Sequence, residues 1–137
     1  MGIVFAEITL KNAGDVVNVG RGIISEQDIR QTNVQAIVDT GSMTLVINES
    51  IRDRLGLTVR GTRQVTMANN SKETAKIAET VEIHWKNRSM TCQPVVVENC
   101  TEVLLGALPL EDMDLIVDPV RQELVGAHGD EIVTLVL

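Results

Sequence analysis

The 137-residue sequence predicts a mostly β domain with one or two short helices. Three observations predict it. Turn signals recur at short intervals, leaving segments too short for a bundle of long helices. β-branched residues are frequent, which favours extended chain. Several segments alternate apolar and polar residues, as in Val81-Glu82-Ile83-His84-Trp85, the pattern of a half-buried strand.

Taken in order, Val4–Leu10 reads as a strand closed by the turn Asn12-Ala13-Gly14-Asp15. Asp15–Gly22 reads as a further short strand with glycine breaks, and Glu26–Gln31 is polar without a clear period. Asn33–Val38 is a strand whose apolar end, Ala36-Ile37-Val38, is expected to be buried on both faces. Thr44–Ile47 is another short strand. Asn48 then reads as a helix N-cap, with Ile51 and Leu55 on one face and Gly56 as the stop. Thr62–Met67 and Glu73–Val81 flank the polar tip Ala68-Asn69-Asn70-Ser71 as a long hairpin. Val81–Trp85 and Ser89–Val97 form the next pair, turning at Asn87. Val103–Leu105 is a short buried strand ending at Gly106, and Leu108–Asp112 a helical turn with Pro109 near its start. Leu115–Val117, Glu123–Val125 and Ile132–Val136 complete the strands, and the whole chain reads as one domain.

Phe5 and Trp85 are the only aromatic residues, so the core must be aliphatic. Nineteen acidic against twelve basic residues give a net charge of −7, which argues against nucleic-acid binding. No apolar run approaches the roughly 18 residues of a membrane span, and the N-terminus lacks the basic region of a signal peptide. Cys92 and Cys100 are expected to be free thiols. His84 and His128 stand alone, so no metal site and no cofactor are expected. Together these features predict a cytoplasmic protein without nucleic-acid or membrane partners.

The chemistry-bearing segment is Ala36-Ile37-Val38-Asp39-Thr40-Gly41-Ser42. A carboxylate follows directly on an apolar strand, and burying it requires compensation. Gly41 lets backbone N–H groups approach it closely, and Thr40 and Ser42 bring hydroxyls to the same place. Ser42 has no Ser-His-Asp spacing that would make it a nucleophile.

Asp39-Thr40-Gly41 after a buried strand resembles the active-site loop of aspartic proteases. Downstream, Leu104-Leu105-Gly106 and the following turn match the apolar-apolar-glycine segment and helix of retropepsin-like proteases. The hairpin tip Ala68, Asn69, Asn70 and Ser71 matches the flap, though without the glycines common in mobile flaps. The resemblance covers about Val34 to Ile116 and is closest to the small bacterial single-domain members. It implies a retropepsin-like acid protease half-barrel closed by homodimerisation. It also implies an aspartic endopeptidase whose two carboxylates come from two copies of Asp39, since the chain holds one such triplet. Thr40 would then link the two loops, Ser42 would hydrogen-bond the outer carboxylate oxygen, and the flap would hold a peptide or protein substrate. Ile132–Leu137 would interleave with the partner's terminal strand. The alternative is a dimeric peptide- or protein-binding module with the same fold and little or no catalysis.

Overall fold

The computed structural model describes residues 2–137. Nine strands form one sheet: β1 (Phe5–Asn12), β2 (Gln31–Val38), β3 (Leu45–Ile47), β4 (Val59–Thr66), β5 (Lys72–Ala78), β6 (Val81–Trp85), β7 (Arg88–Cys92), β8 (Val95–Val96) and β9 (Leu104–Leu105). Their order across the sheet is β4-β5-β8-β3-β9-β2-β1-β6-β7, and β10 (Leu115–Asp118) pairs with β11 (Glu123–Gly126) in a separate hairpin. The mostly β, half-barrel architecture expected from the sequence is the one found.

Register explains how this sheet makes both a core and a cleft. Leu45 pairs with Leu105, Ile47 with Val96, and Val96 with Lys76. Except for the stem of Lys76, this row turns into the main core, which also holds Leu10, Leu55, Leu57, Ile83 and Met113. The alternate row, Leu104, Val46, Val95 and Ile77, faces the other way. There Ala75, Ile77 and Val95 gather a second, smaller apolar cluster with Val46, Val65 and Val97. Both alternations are strand period 2 read across four neighbouring strands.

Three α-helices appear, one more than expected: α1 (Ala13–Gly20), α2 (Glu49–Leu55) and α3 (Ala107–Asp112). A 3-10 turn covers Glu26–Asp28. Helix α2 has the predicted ends, with Asn48 accepting from the Ile51 N–H at 2.9 Å and Gly56 left-handed at φ 63°. Helix α1 corrects the strand expected over Asp15–Gly22. Asn12 is an N-cap rather than a turn residue, and its Oδ1 accepts from the Asp15 N–H at 3.0 Å. The valines of α1 are poor helix formers, but the cap and the acidic first turn outweigh that small preference. Asn12 is itself buried, and its Nδ2 donates to the Leu55 carbonyl at 2.8 Å, joining α1 to the end of α2.

The hairpin β4–β5, expected from the sequence, forms one edge of the sheet. Its tip is a three-residue turn in which Asn70 takes φ 67°, a place glycine usually fills. Asparagine adopts this region at small cost, and the Asn69 side chain braces the turn by accepting from the Ser71 N–H and hydroxyl at 3.0 and 2.7 Å.

Ile132–Leu137 forms no strand in the single chain, contrary to the expectation for Ile132–Val136. Leu135, Val136 and Leu137 are exposed. Among the described residues, no helix is long and apolar enough to cross a membrane.

Asp15 is buried and faces Arg30, whose Nε and Nη2 each donate to it at 2.9 Å. These bonds hold its carboxyl below the usual carboxylate range, against the opposing effect of burial. The folded value is therefore lower than the unfolded one. The resulting stability is complete above about pH 4 and is lost as pH falls through the folded value. Asp15→Asn is expected to cost about 1–2 kcal/mol at pH 7, modest because the Arg30 side chain is half exposed. In urea unfolding this deficit should shrink as pH falls below about 4, the unfolded carboxyl value; a deficit independent of pH would contradict the assignment.

Candidate active site

The candidate site begins where β2 ends. The Asp39 N–H donates to the Leu105 carbonyl at 3.0 Å, continuing the parallel pairing of β2 with β9. Alternation along β2 places Asp39 with Ile37, in register with Leu104. Its side chain thus belongs to the half-open apolar face and not to the main core. The chain then turns tightly. The Gly41 N–H donates to Asp39 Oδ1 at 3.0 Å, and the Ser42 N–H to the Asp39 carbonyl at 3.1 Å. A Cβ on Gly41 would lie 3.2 Å from Asp39 Oδ1, so glycine leaves that oxygen room. Thr40 and Gly41 are exposed, while Asp39 and Ser42 are half-buried.

Helix α3 locks this loop from behind. Its first N–H groups have no partner within the helix. The Ala107 N–H donates instead to the Ser42 carbonyl at 2.8 Å, and the Leu108 N–H to the Met43 carbonyl at 2.9 Å. Such contact requires the backbones to touch at Gly106. A Cβ there would meet the Ser42 carbonyl oxygen at 2.6 Å and the Thr44 nitrogen at 2.7 Å. Leu104, Leu105 and Gly106 are therefore two strand residues and a glycine contact point directly beside Asp39, Thr40, Gly41 and Ser42.

The other candidates stand apart. Among the described residues, no hydrogen bond joins Ala68, Asn69 or Asn70 to the Asp39 loop, and the tip is exposed. The Ser42 hydroxyl makes no hydrogen bond to the carboxylate; this residue acts through its backbone. No cation forms an ion pair with Asp39, and no cluster of three or more His, Cys, Asp or Glu that could hold a metal is present among the described residues.

Two supporting residues escaped the sequence reading. Arg88 is buried, and its guanidinium donates to the carbonyls of Met113 at 2.9 Å, Asp114 at 2.5 Å and Gly129. It fixes the far end of α3. Cys92 lies behind the loop beside Thr44 and Leu45, and burial pushes its thiol up to about 11. A single Arg or Cys on a strand carries no signal of such a role.

The sequence profile of the family described as "gag-polyprotein putative aspartyl protease" matches residues 25–112, and the chain belongs to that family. Two solved structures share the fold. One is the retroviral protease-like domain of Ddi1 from Leishmania major, at 14% identity and TM-score 0.56, covering 91% of this chain and 88% of that one. The other is a retropepsin-like aspartic protease from Rickettsia conorii, at 14% identity and TM-score 0.50, covering 85% of this chain and 77% of that one. No curated protein shows significant sequence similarity.

Two outcomes test this geometry. Gly106→Ala should lower stability by about 1–3 kcal/mol in urea unfolding, because the neighbours it strikes are backbone atoms. Single-cysteine variants labelled at pH 8 should show Cys92 reacting about 100-fold more slowly than an unperturbed thiol. Equal rates would remove the burial.

Proposed function

We propose that the chain is an aspartic endopeptidase acting as a homodimer, with residues 1–137 working as a single retropepsin-like domain. The observation that carries this reading is the Asp39 loop. It presents one carboxylate on a cleft face, with one oxygen bonded to the Gly41 N–H and a rigid helix behind it. Peptide hydrolysis by carboxylates alone needs a second such group. The one Asp-Thr-Gly in the chain leaves a second copy as its source.

In the dimer the two Asp39 carboxylates would lie about 3 Å apart and share one proton, as aspartic-protease dyads do in general. The ionised carboxylate takes a proton from a water held between them, and that water attacks the scissile carbonyl. The protonated carboxyl stabilises the developing oxyanion, and as the tetrahedral intermediate collapses the carboxyl that took the water's proton gives it to the leaving amine. Thr40, exposed at the front of the loop, would meet its copy across the axis. The Ser42 hydroxyl is free to reach the outer carboxylate oxygen once the dyad forms. Ala68, Asn69 and Asn70 would cover a bound peptide backbone.

Exposed apolar groups around the loop support dimerisation. Ile3, Phe5, Met43 and Leu108 are 63%, 47%, 68% and 51% exposed, and Met43 and Leu108 are joined through the backbone. The exposed apolar tail Leu135–Leu137, which forms no strand in the single chain, would pair with its copy in the dimer. The free thiols Cys92 and Cys100 suit a reducing, cytoplasmic setting.

Wild type and Asp39→Asn should be compared on a diverse peptide mixture between about pH 4 and 7, where a shared-proton dyad works. Wild type is expected to cut, and the variant to lose about 10³-fold or more. Light scattering should show a dimer in the active concentration range. Undiminished activity in the variant would remove Asp39 from catalysis. Binding without cutting in both would favour a peptide-binding module.

A further inference from the structure

Between the flap and the sheet lies a hollow of about 390 Å³. It opens because β5 and β8 part company. Their pairing ends at Lys76 and Val96, and the chain turns away over Val97–Cys100, where the Cys100 N–H donates to the Val97 carbonyl at 3.3 Å. The floor of the hollow is apolar, made by Val65, Met67, Ala75 and Val97. Val65, Ala75 and Val97 belong to the smaller apolar cluster, on the same face of the sheet as Asp39. The volume is at the lower end of the range for ligand pockets, about 300–1,000 Å³.

The charged groups lining this hollow are unequal in sign. Glu73 and Glu98 contribute two carboxylates, and Lys76 one ammonium. Lys76 Nζ lies 2.8 Å from Glu49 and 3.6 Å from Glu98, so its charge is drawn out of the hollow towards Glu49. Glu73 has no ion-pair partner among the described residues. Arg63, opposite Ala75 on the flap, is not part of the lining. An apolar floor under a negative rim suits a long side chain with a methylene stem and a cationic head. A wholly apolar side chain would strip water from the carboxylates without replacing it, and an acidic one would be repelled.

We propose that this hollow is a side-chain subsite that selects lysine or arginine in the substrate, remote from the bond to be cut; the proposal rests on the endopeptidase reading above. Three to four strand spacings separate it from Asp39 across the sheet. At about 4.8 Å each this is roughly 14–19 Å, or four to six residues of extended peptide at about 3.4 Å per residue.

The test is a positional scan. Peptides cut by the wild type are remade with Lys, Ala or Glu at each position up to seven residues on either side of the cleaved bond. One position in the range of four to six is expected to show kcat/KM about tenfold higher for Lys than for Ala, and lower still for Glu. That preference should weaken as salt is raised. In Glu73→Gln/Glu98→Gln, checked for folding by its thermal midpoint, the Lys-to-Ala ratio should fall towards one. Cleavage with no basic preference at any position, or a preference intact in the double variant, overturns the subsite. If no peptide is cut, the endopeptidase reading fails separately, and the same Lys and Ala peptides are measured by fluorescence anisotropy on Asp39→Asn. Tighter binding of the Lys peptide that depends on Glu73 and Glu98 supports the subsite, while equal or absent binding overturns it.

Discussion

The contact at Gly106 is the constraint on which the rest of the site depends. Two backbones meet there at a distance no side chain allows, and the first N–H groups of α3 donate into the loop carbonyls of Ser42 and Met43. Without that approach the helix end would keep unsatisfied donors and the loop unsatisfied acceptors, each costly away from water. With it, the short helix acts as a splint behind Asp39. Arg88 completes the splint at the other end of α3, its charge satisfied by three carbonyls. The next residue after α3 and its cap, Asp114, accepts from the Val133 N–H at 3.0 Å and lies 2.7 Å from His128 Nδ1. The path from loop to helix to the root of the C-terminal tail is therefore continuous in hydrogen bonds.

The sheet divides its labour by parity. One row of side chains fills an aliphatic core, and the alternate row builds a shallower apolar cluster on the face that carries Asp39. A chain with a single Phe and a single Trp achieves this with Leu, Ile and Val. Branched aliphatic side chains fit the pleated surface on both sides. A shift of one residue in β9 would exchange core and cleft together, so the Leu104-Leu105 pair sets register as well as packing.

Much of this was legible in the residues themselves. Asn48 and Gly56 marked both ends of α2 because caps are local chemistry. The β4–β5 hairpin was legible because its tip is a turn in any context. The Asp39 loop and Leu104-Leu105-Gly106 were legible as a pair, through family resemblance, and the backbone collision at Gly106 supplies the physical reason for the pairing. Helix α1 was missed because its valines favour strands, whereas its stability comes from Asn12 and from buried Asp15, whose partners Leu55 and Arg30 lie farther along the chain. Arg88 and Cys92 were missed for the same reason: their roles exist only after distant segments meet. The tail was read as a strand from its apolar pattern, but a strand needs a neighbour, and one chain does not provide it.

The pairing of Ile37 with Leu104 has a consequence for how the protein is born. Sixty-seven residues separate the two, and contacts of such long sequence separation close late because a large loop must be ordered first. The Asp39 turn takes its shape from Leu105, Gly106 and Ala107, so a nascent chain that has not yet emerged past them has no formed turn. During synthesis the Asp39 turn therefore stays unformed until residues through Ala107 have left the ribosome, a delay written into strand order alone.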